Sequence, residues 1–279
     1  MAKILLIGAT GFLGRHLVKK LKNHELSYFD RKIHDITNLN DVVKATKGQD
    51  IVINLAAPNT QNSEINRRVI VEGSKNIIES AKRNNIQKVI HLSSAAVYRK
   101  NQDSYGIAKR EADELYIQSG ISAILLRPPL IYGRGGYAAE KLFNSVEKIP
   151  FIVLVVGDGK YKFQPVYVED VVDAIVASID YKKKGISIFD VAGPRKIEFN
   201  KFAEKILKAK GVNKILIHIP ISLILFVVRI LTFFFRSLPF NTTTIKRMVE
   251  EIDLDVDKTK KELGVAPREY DEALLSLFA

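Results

Sequence analysis

The chain has 279 residues, of which 47% are hydrophobic and 27% are charged, a balance that argues against disorder and fits one large or two modest globular domains. It contains no cysteine, which excludes disulfides, thiolate zinc sites and cysteine nucleophiles. The formal net charge of +12 favours anionic ligands, but the lysines are scattered without interleaved aromatic residues, which indicates a solvated surface rather than a nucleic-acid partner.

The first predicted element is a strand, KILLIG, which ends at Gly8. A continuous apolar run of this kind is typical of a strand that is buried on both faces. The run is too short to serve as a signal peptide, so we expect a cytoplasmic protein whose fold starts at this strand. A helix is predicted to follow from about Phe12 to Leu21.

Four more strand-like segments follow, and helical segments separate them. The strands are predicted at ELSYFD, DIVINLAA, KVIHLSS and SAILLRP, and the clearest helices at EGSKNIIESAKRNN and YGIAKREADELYIQSG. Gly120 is expected to close the second of these helices as a C-cap. Regular β-α-β alternation predicts an α/β fold with a doubly wound parallel sheet of the Rossmann type, covered by helices on both faces.

The pattern loosens after Tyr132. FIVLVVGDGKYKFQPV predicts short strands around a Gly-Asp-Gly turn, and YVEDVVDAIVASID predicts an amphipathic helix. We therefore predict a dinucleotide-binding Rossmann domain over residues 1–132, to which residues 164–192 return. Residues 133–163 and 193–279 are predicted to form a smaller, mostly helical C-terminal lobe that binds the substrate.

Residues 215–240 are the most apolar part of the chain. A membrane-spanning helix needs about 20 nearly uninterrupted apolar residues, whereas Pro220 and Arg229 divide this run. Three interpretations stay open: a buried helix of the smaller lobe, an interfacial helix that makes peripheral membrane contact through residues 220–240, and a true membrane span.

The motif GATGFLG follows the first strand and opens the first helix. It is typical of a dinucleotide-binding turn, because Gly8 permits the tight turn, Gly11 lets a pyrophosphate approach the backbone, and Gly14 allows close helix–strand packing. The N-terminus of the helix would then offer free N–H groups to the phosphates.

An acidic residue ends the second strand. Asp30 lies 22 residues after Gly8, where a carboxylate can accept hydrogen bonds from an adenosine ribose. Because Asp30 would repel a 2′-phosphate, NAD is favoured over NADP, although the adjacent Arg31 offsets part of this repulsion and keeps NADP open. The alternative is that Asp30 is a turn residue with no ligand. Further along, Asp35 and Ile36 are placed to hold the edge and the face of the adenine.

The stretch SSAAVYRKNQDSYGIAK holds a serine pair, then Tyr105 and, four residues later, Lys109. Tyr105 and Lys109 share one helix face and Ser94 ends the fourth strand, so all three are expected at the carboxyl ends of the strands. We predict that Tyr105 transfers the proton of a substrate hydroxyl and that Ser94 orients the substrate oxygen. Lys109 and a nicotinamide cation would lower the pKa of the phenol by about 2–3 units. The alternative is an amphipathic helix that contains this pair by chance.

The motifs GATGFLG, HDIT, NLAA, HLSSAAVY, YGIAK, LRPPLIYG and PVYVEDVVDAI occur in the order found in the extended short-chain dehydrogenase/reductase superfamily. Over nearly its whole length the chain resembles the NAD-dependent epimerase/dehydratase group. The resemblance implies an enzyme with Ser94, Tyr105 and Lys109 as its catalytic triad, no metal, and a homodimer formed through a four-helix face. The cofactor-binding residues that it implies are Gly8, Thr10, Gly11, Phe12, Leu13, Gly14, Asp30, Arg31, Asp35, Ile36, Leu55, Ala56, Ala57, Tyr105, Lys109 and Pro128.

Two positions depart from the family pattern. Ile70 stands where the family often has an asparagine, and Phe163 stands where nucleotide-sugar epimerases carry an arginine that grips a diphosphate. The segment GDGKYKFQPVYVEDV is similar instead to the branch related to the accessory subunit of respiratory complex I, some of whose members are structural.

Three functional hypotheses follow from the resemblance. The first is an NAD(P)-dependent oxidoreductase or epimerase whose small-molecule substrate is a nucleotide sugar. The second is a nucleotide-binding structural or assembly protein near a membrane. The third, favoured by the missing arginine, is an oxidoreductase that acts on an apolar, lipid-like substrate.

Overall fold

The computed structural model describes residues 1–58, 60, 62–136, 151–226, 247 and 249–278. Its main sheet has six parallel strands in the order β10-β5-β4-β3-β1-β2. The strands in the described residues are β1 (Lys3–Ile7), β2 (Glu25–Phe29), β3 (Ile51–Asn54), β4 (Lys88–Leu92), β5 (Ala123–Arg127), β6 (Ile131–Tyr132), β7 (Ile152–Val156), β8 (Lys162–Phe163), β9 (Val166–Tyr167), β10 (Ile186–Asp190), β11 (Ile197–Glu198) and β12 (Ile215–Ile219).

The helices cover both faces of this sheet. A π-helical segment, Arg67–Glu72, joins α3 to α4, and a short 3₁₀ helix, Ala95–Tyr98, follows β4. The α-helices are α1 (Phe12–Lys20), α2 (Leu39–Thr46), α3 (Ser63–Asn66), α4 (Gly73–Arg83), α5 (Ser104–Gln118), α6 (Val168–Asp180), α7 (Phe199–Lys210), α8 (Val256–Leu263) and α9 (Tyr270–Phe278).

The core has one layer on each side of the sheet. Helices α1 and α6 cover one face, where Leu17 and Val172 are fully buried. Helices α2, α4 and α5 cover the other through Val42, Ile77 and Tyr116. The central strands are buried on both sides, which explains why their sequences are continuous apolar runs. The predicted doubly wound parallel sheet is therefore confirmed.

The order of the strands positions the site. β1 lies between β2 and β3, so the chain runs outward from β1 first to one side and then to the other. In open α/β sheets, ligands bind in the crevice that this reversal opens at the carboxyl ends of the strands. The glycine turn after β1 and the Leu55–Ala57 segment after β3 therefore face each other across it.

The smaller elements extend the carboxyl side of the sheet. β7 pairs with β12, β8 with β11 and β6 with β9, and α7 and α9 share an aromatic-rich core with Phe163. α8 instead packs beside β10, where Leu263 joins the core of the large sheet. The division into two lobes at residues 132, 164 and 192 stays a prediction.

Most of the apolar stretch 220–240 lies outside the described residues, which include only its first part, up to Phe226. Within the described ranges, we find no helix with the length and hydropathy required to cross a membrane. In the described part of this stretch, residues 221–226 are helical. The three interpretations otherwise concern residues that lie outside the described ranges.

Lys88 ties β4 to the end of α6. Its ammonium group donates to the carbonyls of Ser178, Ile179 and Tyr181 at 2.9, 2.8 and 2.6 Å. A cation at a helix C-terminus satisfies carbonyls that have no partner within the helix.

We expect Lys88→Met to lower the free energy of unfolding by about 2 kcal/mol in urea denaturation, because these hydrogen bonds are lost. Lys82→Met, at an exposed position, should change it little. Equal effects of the two substitutions would contradict this capping role.

Candidate active site

The glycine turn has the shape that a dinucleotide needs. Gly8 has φ +89°, and a Cβ on it would lie 3.2 Å from the carbonyl carbon of Leu55. A Cβ on Gly14 would lie 2.3 Å from the carbonyl oxygen of Gly8, so no other residue fits there. Gly11 is exposed at the N-cap of α1. Among the described residues no side chain caps α1, and its first turn carries no acid. Its first N–H groups are thus available to a phosphate.

The other predicted cofactor-binding residues of this turn differ in the exposure and contacts of their side chains. Thr10 is exposed, and its carbonyl accepts a hydrogen bond from Arg15 at 3.1 Å. The ring of Phe12 packs edge-on against His16, with centroids 5.5 Å apart. Leu13 is buried in the core below the sheet, so its backbone, and not its side chain, faces the crevice.

The predicted adenosine-binding residues follow β2. Asp30 and Arg31 are both exposed, and one oxygen of Asp30 accepts a hydrogen bond from the backbone of Lys32 at 2.9 Å. Asp35 accepts one from Thr37 at 2.9 Å, and this bond lowers the pKa of its carboxyl. Ile36 is buried, with 8% of its surface exposed. The acid at the end of β2 is therefore accessible to a ribose hydroxyl.

Small or backbone groups line the rest of the crevice. Leu55 and Ala56 are half-buried beside Gly8, and Ala57 is exposed. Pro128 is buried, and its carbonyl accepts a hydrogen bond from the backbone of Ala95 at 2.9 Å. The loop after β5 is thus fixed to the 3₁₀ helix after β4.

The three predicted catalytic side chains lie together at the carboxyl end of β4. Ser94 caps the 3₁₀ helix and forms a hydrogen bond with the phenol of Tyr105 in the first turn of α5. The ammonium of Lys109 lies 5.8 Å from the centre of the Tyr105 ring and donates to the carbonyl of Leu92 at 2.6 Å. Lys109 is 1% exposed, so its charge is enclosed beneath the tyrosine.

Burial shifts the pKa values of both Tyr105 and Lys109. It raises the pKa of Tyr105 to about 12, although the hydrogen bond from Ser94 acts in the opposite direction. The predicted lowering of this pKa includes the positive charge of a bound nicotinamide, and among the protein's own residues the loss of solvation raises the pKa instead. Burial also lowers the pKa of Lys109 to about 8, against the attraction of Asp113.

A buried ion pair lies behind the lysine, and the sequence analysis missed it. Asp113 is 2% exposed, one helical turn beyond Lys109, and its carboxylate binds Arg127 at 2.8 Å. Arg127 in turn donates to the hydroxyl of Tyr98 at 2.9 Å, and Tyr98 donates to Asp190 at 2.8 Å. Asp113 could have been found from its spacing, since it follows Lys109 by four residues on the same helix face.

A segment from the C-terminal part of the chain crosses the entrance to α5. The carboxylate of Glu250 accepts hydrogen bonds from the backbones of Lys100 and Asn101 at 2.6 and 3.2 Å. Arg247 pairs with Asp103, whose other oxygen caps α5 through Gly106. The start of the tyrosine helix is therefore fixed from outside the sheet.

An open cavity of about 480 Å³ lies on the same side of the sheet, beyond Tyr98. Three carboxylates, an ammonium, a phenol and an amide are among its lining groups, so a ligand with several hydroxyl groups could find hydrogen-bond partners there. The lining residues are Tyr98, Gln164, Asp190, Lys196, Asp253, Leu254 and Asp255.

The two departures from the family pattern both pack in apolar surroundings. Ile70 is 1% exposed and packs with Ala108 and Ala112 of α5. Phe163 is half-buried, and its ring packs against Phe202, with centroids 5.3 Å apart, at the core shared by α7 and α9. Neither side chain carries a charge or a hydrogen-bond donor for a phosphate.

Comparison with known proteins decides the family. The model of the NAD dependent epimerase/dehydratase family matches residues 4–192, which include the glycine turn, the triad and β10. The chain belongs to the NAD-dependent epimerase/dehydratase family. It is thus a member of a family of enzymes whose cofactor is NAD, and the glycine turn and Asp30 of this chain fit that cofactor.

Two individual relatives of this chain share little sequence identity with it. The chain is 23% identical to a 3beta-hydroxysteroid-dehydrogenase/decarboxylase isoform 2 of Arabidopsis thaliana, covering 93% of this chain and 58% of the relative. It is also 23% identical to a UDP-glucose 4-epimerase of Vibrio cholerae, covering 95% and 90%. The chain therefore spans little more than half the length of the plant protein.

A solved structure shares the fold of this chain. The UDP-glucuronic acid 4-epimerase of Bacillus cereus, solved with UDP-glucuronic acid and NAD, superposes with a TM-score of 0.75. The two are 19% identical, and the match covers 99% of this chain and 98% of the other.

The buried lysine predicts how stability depends on pH. The pKa of Lys109 is about 8 in the folded protein and 10.5 ordinarily, so between these values the unfolded chain binds more protons. The lysine's contribution to stability must therefore rise with pH there, by up to about 1.4 kcal/mol per pH unit. Urea denaturation should show this rise in the difference between the natural protein and Lys109→Met. A difference that does not change with pH between about 8 and 10.5 would contradict the prediction.

Proposed function

We propose that this chain is an NAD-dependent oxidoreductase or epimerase that acts on a secondary alcohol of a nucleotide sugar. One observation carries the proposal: Ser94, Tyr105 and Lys109 lie together at the carboxyl end of β4, beside the crevice that the glycine turn opens. Hydride removal from an alcohol requires a partner that takes the hydroxyl proton, and a phenol held between a hydroxyl and an ammonium provides one.

The proposed roles follow from the contacts. The N–H groups of α1 and the backbone at Gly11 would hold the pyrophosphate, and Asp30 would hold the adenosine ribose. NAD, when bound, supplies a hydride acceptor and, in its oxidised form, a positive charge that favours phenolate. Ser94 would hydrogen-bond the substrate oxygen, and Lys109 would hold the ribose next to the nicotinamide.

Tyr105 moves the proton at its phenol oxygen. Because burial raises its pKa to about 12, the protein's own residues keep the phenol protonated near neutral pH and ready to donate to a carbonyl. Abstraction of a proton requires added positive charge beside the ring. Lys109 contributes part of that charge, and Asp113 favours the charged form of the lysine.

The cavity beyond Tyr98 supports a sugar as the reacting part of the substrate. Its carboxylates can accept hydrogen bonds from hydroxyl groups, and the amide of Gln164 can both accept and donate them. Among the proteins that resemble this chain, a UDP-glucose 4-epimerase and a UDP-glucuronic acid 4-epimerase act on such compounds, which also favours a nucleotide sugar.

A second candidate is an oxidoreductase for a hydroxysteroid-like, apolar alcohol. Phe163 favours it, because the position of the expected diphosphate-gripping arginine holds a ring that packs into the core of α7 and α9. The name of the plant relative, a 3beta-hydroxysteroid-dehydrogenase/decarboxylase, agrees with this alternative.

The mechanism is tested by Tyr105→Phe. We expect turnover, followed by NADH absorbance or by product analysis, to fall by about 10²-fold or more, because the proton-transfer group is lost. Stabilisation by NAD, measured as a shift in Tm, should persist. Unchanged turnover would refute the mechanism.

The substrate class is tested by a panel of UDP-sugars and 3β-hydroxysterols on the natural protein. Turnover of a UDP-sugar supports the first proposal, and turnover of a sterol supports the second. Stabilisation by NAD with turnover of neither class would favour a structural protein that keeps the dinucleotide as a folding ligand.

A further inference from the structure

The small sheet of β7 and β12 has an entirely aliphatic outer face. The two strands are parallel, with Ile152 opposite Ile215 and Leu154 opposite Ile217. Side chains two residues apart lie on the same face of a strand. The outer face is therefore formed by Ile152, Leu154, Val156, Ile215, Ile217 and Ile219.

The opposite face of this sheet already has its partner. Val153 is 1% exposed and packs with Phe202 and Ile206 of α7. A sheet with one buried face normally carries polar residues on the other. Here the second face is apolar and open: Ile215 is 70% exposed and Leu154 is 44% exposed.

Neighbouring apolar side chains enlarge the outer face. Phe151, directly before β7, is 79% exposed, and its backbone has φ +65°, a left-handed conformation that is strained for a bulky residue. After β12, Ile221 packs against Gly157 at the end of β7. Leu223 and Phe226 follow it and are 51% and 63% exposed. Contiguous exposed apolar surface of this kind marks a binding site for a protein or a membrane.

The charge beside the outer face favours an anionic partner. Lys214 directly precedes Ile215, so its charge lies at the end of the outer face, whereas Lys208 and Lys210 lie in the last turn of α7, the helix that packs on the opposite face. The whole chain carries a formal net charge of +12. A second copy of the chain would bring two strongly positive molecules together, which is unfavourable. An anionic bilayer attracts lysines near its surface and accepts the apolar side chains between them.

We propose that the outer face of β7 and β12, with Phe151, Leu223 and Phe226, docks on the surface of an anionic lipid bilayer. The contact is peripheral: aliphatic and aromatic side chains enter the boundary between headgroups and acyl chains, while the lysines remain at the headgroups. This surface is distinct from the triad and does not depend on the proposed reaction.

The experiment is co-sedimentation of the full chain with vesicles of phosphatidylcholine alone or mixed with phosphatidylglycerol. We expect binding to the mixed vesicles, weaker binding to the neutral ones, and loss in high salt. The double variant Leu154→Gln/Ile217→Gln should bind the mixed vesicles at least about tenfold more weakly than the natural protein does. The matched control, Ile33→Gln/Leu275→Gln, replaces side chains that are 73% and 60% exposed elsewhere and should bind like the natural protein.

Three results would overturn the proposal. The natural protein could fail to bind either kind of vesicle, or the double variant could bind as well as the control. The third is a dimer in solution without vesicles, detected by sedimentation velocity, that becomes a monomer in the double variant, because the outer face would then bind a second copy. Circular dichroism of the double variant, compared with the control, shows whether weaker binding reflects unfolding.

Discussion

The buried charge of Lys109 constrains the centre of the molecule. An ammonium group that is 1% exposed costs several kcal/mol of solvation unless nearby acceptors replace the lost water. The carbonyl of Leu92 and the carboxylate of Asp113 provide this compensation, and Asp113 is itself paired with Arg127. Because these groups belong to β4, α5 and β5, the charge fixes how the helix of Tyr105 sits on the sheet.

The fold could be predicted largely from local patterns. Five strands of the large sheet are apolar runs, and the helices between them follow the expected periodicity. β10 was missed because its sequence, ISIFD, includes Ser187 and Asp190 and occupies an edge position that tolerates polar residues. The short strand β8 follows the Gly-Asp-Gly turn as predicted, whereas the pairing of β8 with β11 and of β6 with β9 joins segments that are distant in sequence, so no local pattern predicts it.

The site could be predicted only in part. Glycine spacing and the Tyr–Lys spacing are local signals, so the sequence could predict that the glycine turn and the three triad residues lie at the carboxyl ends of the strands. The upward effect of burial on the Tyr105 pKa could not be predicted, because the sequence does not record which side chains lose their solvation. Arg247 and Glu250 were missed because they reach the start of α5 from another part of the chain.

The contact between Arg247 and Asp103 also bears on the order in which parts of the chain can fold. The pair formed by Arg247 and Asp103 joins residues 144 positions apart, and it holds the residue that caps the tyrosine helix. Closing so large a loop is slow compared with forming neighbouring β-α units. During synthesis, the six strands of the large sheet and the glycine turn emerge before residue 247, so these elements can form before the cap of α5 is held by Arg247.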